Sequence, residues 1–93
     1  MAVIQKIRLK ITNKEYYISS HAEEEMIDDG IERKDIENAI LKGFLEKKLT
    51  KDIRGARYRI KGSSIDGKLI YVLCRFREDS NLIIITAYDS PAE

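Results

Sequence analysis

Near the start of the chain Ile7, Leu9 and Ile11 alternate with Arg8 and Lys10, and a period of two predicts a half-buried strand. Thr12-Asn13-Lys14 then has the composition of a turn leading into Tyr16-Tyr17-Ile18, so the chain is expected to open on a strand or hairpin. The period lengthens after that. Ser20 followed three residues later by Glu23 predicts a capped helix start, and Gly30 a left-handed stop, with Ala22, Met26 and Ile27 facing inward. Ile36, Ala39 and Ile40 recur at i, i+3 and i+4, with Asp35 in the first turn and Gly43 as terminator, which predicts a second short amphipathic helix. The remainder reads as strands over residues 44–49, 56–62, 68–76 and 82–88, all rich in β-branched or aromatic side chains. The expected architecture is α+β: an N-terminal strand or hairpin, two short helices, then an antiparallel sheet with the helices packed on one face.

One turn lets the strand register be argued. Ile65-Asp66-Gly67 suits a three-residue hairpin loop with Gly67 left-handed, so that Ser64 pairs with Lys68. Tyr58, Ile60 and Gly62 then fall opposite Cys74, Val72 and Ile70 as an apolar face, while Arg59 meets Leu73, Lys61 meets Tyr71 and Arg57 meets Arg75 on the other side. A two-residue turn at Asp66-Gly67 would pair each apolar residue with a polar one, and the hydrophobic pattern rejects it.

Composition sets the scale: 93 residues with 43% hydrophobic content supply one modest core, hence a single domain over residues 1–93. The first residues carry a charge at every second or third position, which is neither a secretory signal nor a membrane span; the expectation is a cytoplasmic protein with no membrane partner. A lone cysteine, Cys74, allows no internal disulfide and no cysteine-based zinc cluster. Its apolar surroundings predict a buried thiol. With a single histidine as well, no metal and no cofactor are expected.

Net charge is only +1, yet the charges are segregated. Residues 20–40 hold eight acids and two bases, whereas residues 47–77 hold ten bases and two acids. A basic stretch of that size marks either a polyanion-binding face or a complement to the chain's own acidic segment.

Two arginines opposed across a strand pair repel, by a few tenths to about 1 kcal/mol, so something offsets them. One reading is a phosphate held by Arg57 and Arg75, with Arg59 and Lys61 on the same face and Tyr71 or Tyr88 stacking on a base. The other is that each arginine pairs with a carboxylate, Glu46, Glu78 or a helix acid, or splays into water. His21, in the first turn of the capped helix, is either a catalytic acid or base or an ordinary surface histidine. Leu82-Ile83-Ile84-Ile85 is apolar on both faces, which fits a central strand or a homodimer contact.

The stretch SSHAEEEMIDDGIERKDIENAILKG, followed by GARYRIKG, DGKLIYVL and IITAYDS, resembles a widespread bacterial and archaeal domain of unknown function, DUF4258, across residues 17–90. That family has the pattern Ser-x-His-Ala-x-x-Arg-Met, then Gly-Ile, Asp-Ile and Ala-Leu-x-x-Gly, then Gly-Pro-Arg-Tyr, Asp-Gly-(Arg/Lys)-Pro-Leu and Ile-Thr-Val-Tyr. Carried over position by position, His21 matches the motif histidine, Arg57 and Tyr58 the Arg-Tyr pair, and Tyr88 the tyrosine of the last strand. Glu25 stands where the family has arginine, and Ala56 where it has proline. The resemblance implies a fold related to the RelE, MqsR and barnase-colicin group of small ribonucleases, often toxins that cut messenger RNA without a metal and are held by an antitoxin. On that basis His21, Arg57 and Tyr88 are the expected catalytic residues, and RNA and a cognate antitoxin the expected partners. The competing expectation is a non-catalytic RNA- or protein-binding module on a degenerate toxin fold, which the Glu25 reversal favours.

Overall fold

The computed structural model describes residues 2–50 and 55–90. In chain order the elements are α1 (Val3–Thr12), β1 (Tyr16–Ile18), α2 (Ser20–Asp29), α3 (Arg33–Lys42), β2 (Phe44–Leu49), β3 (Arg57–Ser63), β4 (Leu69–Phe76) and β5 (Leu82–Asp89). The strands form one five-stranded sheet in the order β1-β5-β4-β3-β2, and the helices pack on one of its faces. The α+β class is as expected, but the sheet is mixed: β1 runs parallel to β5, and every other neighbour pair is antiparallel.

The opening strand is corrected to a helix. Residues 3, 4, 7 and 11 form a helical stripe as readily as residues 7, 9 and 11 form a strand face, and burial decides between them. Ile7 and Ile11 are enclosed in the core while Leu9 is 49% exposed, where a strand would have buried all three on one side. Arg8 locks α1 down by donating to the Ile40 carbonyl at 3.1 Å and the Gly43 carbonyl at 2.7 Å, both at the C-terminal end of α3 where helix carbonyls lack partners. Tyr16–Ile18 is a strand, as the pattern predicts, but its partner is Leu82–Ile84 and not a preceding strand.

The α2 cap lies one residue earlier than expected. Ser19 Oγ accepts from the Ala22 N–H at 3.1 Å and donates to the Ile85 carbonyl at 2.9 Å, so the residue that starts the helix also ties it to β5. Gly30 (φ 68°) ends α2 in the left-handed conformation, with the Ile31 N–H on the Met26 carbonyl. Ala22 and Met26 are buried as predicted, but Ile27 points to solvent and Ile31 fills the inward place. At the start of α3, Asp35 accepts from the Glu32 N–H with one oxygen (2.9 Å) and from the Ile65 N–H with the other (3.0 Å), which fastens α3 to the β3–β4 turn.

That turn and its register follow the sequence argument. The Ser64 N–H donates to the Lys68 carbonyl, Gly67 has φ 88°, and Tyr58, Ile60 and Gly62 pair with Cys74, Val72 and Ile70. Five of these, all but Gly62, join Tyr16, Leu82, Ile84 and Ala87 as the sheet's buried contribution to the core. A bulge in the β4–β5 ladder, between Leu73↔Thr86 and Cys74↔Ile84, inserts Ile85. Before it Leu82 and Ile84 point inward; after it Ala87 does. Without the bulge Tyr88 would share the inward parity of Leu82 and Ile84. With it, Tyr88 stands opposite Tyr71 on the face away from the helices.

Candidate nucleic-acid interface

None of the described helices covers the second face of the sheet. The side chains there lie in rows set by the register: Phe44, Lys61, Tyr71 and Tyr88; then Lys47, Arg59, Leu73 and Thr86; then Leu49, Arg57, Ile83 and Tyr17. Arg75 pairs with Ile83, and the β3–β4 register, continued one step past Tyr58↔Cys74, sets it beside Arg57. All four residues expected to hold phosphate, Arg57, Arg59, Lys61 and Arg75, therefore belong to one face, as does Tyr88.

The aromatic and basic side chains are interleaved. The Arg59 guanidinium lies 4.8 Å and the Lys61 ammonium 5.5 Å from the Tyr71 ring centre, and Tyr71 and Tyr88 stack at 5.5 Å with a 39° tilt. At the far end Arg77 lies 4.6 Å from the ring centre of Tyr17, which is 46% exposed. Arg59 is also paired: its Nε donates to Glu46 Oε1 at 2.7 Å, and Nη2 lies 2.6 Å from the same oxygen in an ion pair. The Glu46 hydrogen bond outweighs the effect of burial and, with Tyr88, holds the guanidinium pKa above even its ordinary high value. Arg57 is likewise engaged.

His21 stands apart from this face. It is an exposed residue of the helix layer, and its contact is Glu25, one turn on, with Nε2 3.2 Å from Oε1. Among the described residues no contact joins it to the four cations. Among the described residues β5 lies between the two: α2 packs on it, and it carries Tyr88 on the open face. Tyr58 lies in the core, edge-on to Phe76 at 6.3 Å, on the opposite side of the sheet from Arg57. Cys74 is buried among apolar groups, and burial pushes its thiol up to about 12. Among the described residues no cluster of three or more histidine, cysteine or acidic side chains is arranged to hold a metal ion.

The acids of the helix layer make their own local pairs: Glu37 with Lys14, Glu25 with His21, Glu32 with Lys34. The acidic stretch of the sequence thus lies on α2 and the start of α3, while α1 adds Lys6, Arg8 and Lys10 to the same helix layer. Phe44, Tyr17 and Arg77 were not anticipated on the open face. Phe44 could have been placed by extending the register to β2, whereas Tyr17 depends on a parallel pairing that no local pattern announces.

This is an α+β domain with a helix layer on one face of a mixed sheet and an aromatic, basic surface on the other. A family model for a domain of unknown function, DUF4258, matches residues 18–89, and the chain belongs to that family. Comparisons with curated proteins and with solved structures gave no match. The family match begins inside β1, so α1 and its core residues lie outside it. No helix among the described residues is long and apolar enough to cross a membrane.

Proposed function

We propose that the open face of the sheet binds single-stranded RNA. The observation that carries this reading is the presence on one surface, uncovered by any described helix, of Phe44, Tyr71, Tyr88 and Tyr17 interleaved with Arg57, Arg59, Lys61 and Arg75. Exposed rings stack on bases, each contributing about 1–3 kcal/mol whatever the base, while Lys and Arg neutralise phosphates. A duplex hides its base faces, so this surface favours a single strand. The five acids of α2, on the helix layer, disfavour approach of RNA along that helix.

Fluorescence anisotropy with a labelled single-stranded RNA tests the reading. Arg75→Ala weakens binding and lowers the slope of log K against log salt by about 0.7, the share of one phosphate contact. Tyr88→Ala weakens binding about 5- to 160-fold and leaves the slope unchanged, because stacking releases no counterion. No binding at low salt by the wild type, or equal binding of duplex and single strand, overturns it.

A second reading, RNA cleavage of the toxin type with an antitoxin as protein partner, is supported by the His21–Glu25 contact. Glu25 Oε1 lies 3.2 Å from Nε2 without hydrogen-bonding geometry, so the carboxylate flanks the imidazole and does not lock its orientation. In metal-independent cleavage the 2′-hydroxyl attacks the adjacent phosphorus as a base takes its proton and an acid protonates the departing 5′-oxygen, so this reading requires His21, on the helix layer, and Arg57, Arg75 and Tyr88, on the open face, to reach the same phosphate around β5. Cleavage with a chelator present, lost in His21→Ala, supports it; intact RNA bound by the wild type leaves the binding module.

A further inference from the structure

Arg59 occupies the middle of the open face, between Lys47 on β2 and Leu73 on β4. A guanidinium grips a phosphate most firmly through two parallel N–H groups, and on Arg59 the Nε and Nη2 pair is already occupied by a single carboxylate oxygen of Glu46. Glu46 sits in the β2 bulge, between Leu45↔Ile60 and Lys47↔Arg59, so that two residues of β2 stand against one of β3. The bulge leaves the carboxylate on Arg59 with both side chains partly open to solvent, at 25% and 31%.

We propose that Glu46 is the counter-charge that governs how strongly this face accepts a polyanion: it competes with an RNA phosphate for Arg59 and makes the pair electrically neutral toward the ligand. This rests on the reading of the face as an RNA site. The other role open to Glu46 is to position Arg59 for phosphate, and the two differ in sign. A positioning carboxylate gains binding by aiming a donor edge at the ligand; Glu46 holds the Nε and Nη2 side and leaves the Nη1 end, so the sign turns on its charge. Its negative charge lies in contact with the group a phosphate would approach, where like charges repel with little screening at low salt. Repulsion is the larger effect.

Glu46→Gln keeps a side-chain oxygen for Arg59 and removes the charge. It tightens binding of single-stranded RNA about three- to tenfold at low salt and raises the salt slope by about 0.7, as Arg59 becomes a phosphate ligand. Arg59→Ala leaves an uncompensated carboxylate and weakens binding. The double variant Glu46→Gln/Arg59→Ala, neutral again at this spot, returns to near the wild-type affinity and slope. Melting temperatures measured on all three establish that they are folded, and Glu46→Ala gives the same sign should the glutamine variant be unstable. Binding by the wild type that both Glu46 substitutions leave unchanged or weaken, or a double variant as weak as Arg59→Ala, overturns the role of Glu46 alone. No RNA binding by wild type or variants overturns the reading of the face and this role with it.

Discussion

Gly62→Ala tests how the helix layer is held on the sheet. Gly62 lies in β3 beneath α3, and a Cβ built there would stand 2.3 Å from the Ala39 carbonyl oxygen, 2.7 Å from its Cα and 2.8 Å from its carbonyl carbon. These are backbone atoms of a helix that cannot tilt away freely. Asp35 fixes one end to the Ile65 N–H, Asn38 donates to the Ser63 carbonyl at 2.9 Å, and Arg8 holds the other end. Gly43 closes the same contact from the opposite side, its own Cβ position lying 2.3 Å from the Lys61 carbonyl oxygen. Overpacking costs about 1–3 kcal/mol, and a clash that no rotamer can relieve belongs at the top of that range. Gly62 is outside the positive-φ region, so alanine also gains about 0.4–1 kcal/mol by restricting the unfolded chain. The steric cost wins. The net loss is about 2–2.6 kcal/mol, or about 8–21 °C in melting temperature for a domain of this size. Urea or thermal unfolding followed by circular dichroism measures it, with Gly67→Ala (φ 88°, nothing within 4 Å) as the control for backbone strain without a clash. A loss below about 1 kcal/mol would show that α3 is free to move off the sheet and that the glycine pair does not set its position.

The same unfolding assay checks two further expectations. Burial pushes the carboxyls of Asp35 and Glu37 up, but it is outweighed for Asp35 by the Glu32 and Ile65 N–H groups, and for Glu37 by hydrogen bonds from Lys14 and Tyr16 and the charges of Lys14 and Arg33, so both end below their ordinary values of 3.8 and 4.5. A depressed folded pKa contributes stability that is complete above those ordinary values and is lost as pH falls through the lower folded ones; stability therefore declines below about pH 4.5, and Asp35→Asn declines less steeply. Parallel pH profiles for the two proteins would contradict this. Ile7→Ala costs about 2–5 kcal/mol whereas Leu9→Ala stays within about 0.5 kcal/mol, since only Ile7 is enclosed; equal losses would restore the strand reading of the first residues.

Much of the sheet was legible because two local signals agreed there. The Asp66-Gly67 turn residues and the alternation of Tyr58, Ile60 and Gly62 against Ile70, Val72 and Cys74 allow a single register, and that register places Arg57, Arg59 and Lys61 on one side. Gly30 marked a helix end for the same reason, its φ of 68° being a local backbone need, whereas Gly43 ends α3 at φ −84° and is required by the close approach of β3. The first ten residues failed this test. Five apolar positions among ten satisfy a period of two and a period of 3.6 alike, and only docking against the end of α3 selects the helix.

The sequence by itself determined the element types after Thr12, the apolar face of the central strands and the grouping of cations opposite it, because each follows from side-chain periodicity within a few residues. Only the tertiary structure decided what those cations can do. The β5 bulge turns Tyr88 outward to meet Tyr71, the parallel β1–β5 pairing brings Tyr17 to the same surface, and the β2 edge sets Glu46 on Arg59. Bulges and long-range pairings are chosen by the packing of the whole sheet, where a single extra residue reverses the face of everything that follows it, and no local pattern encodes that choice.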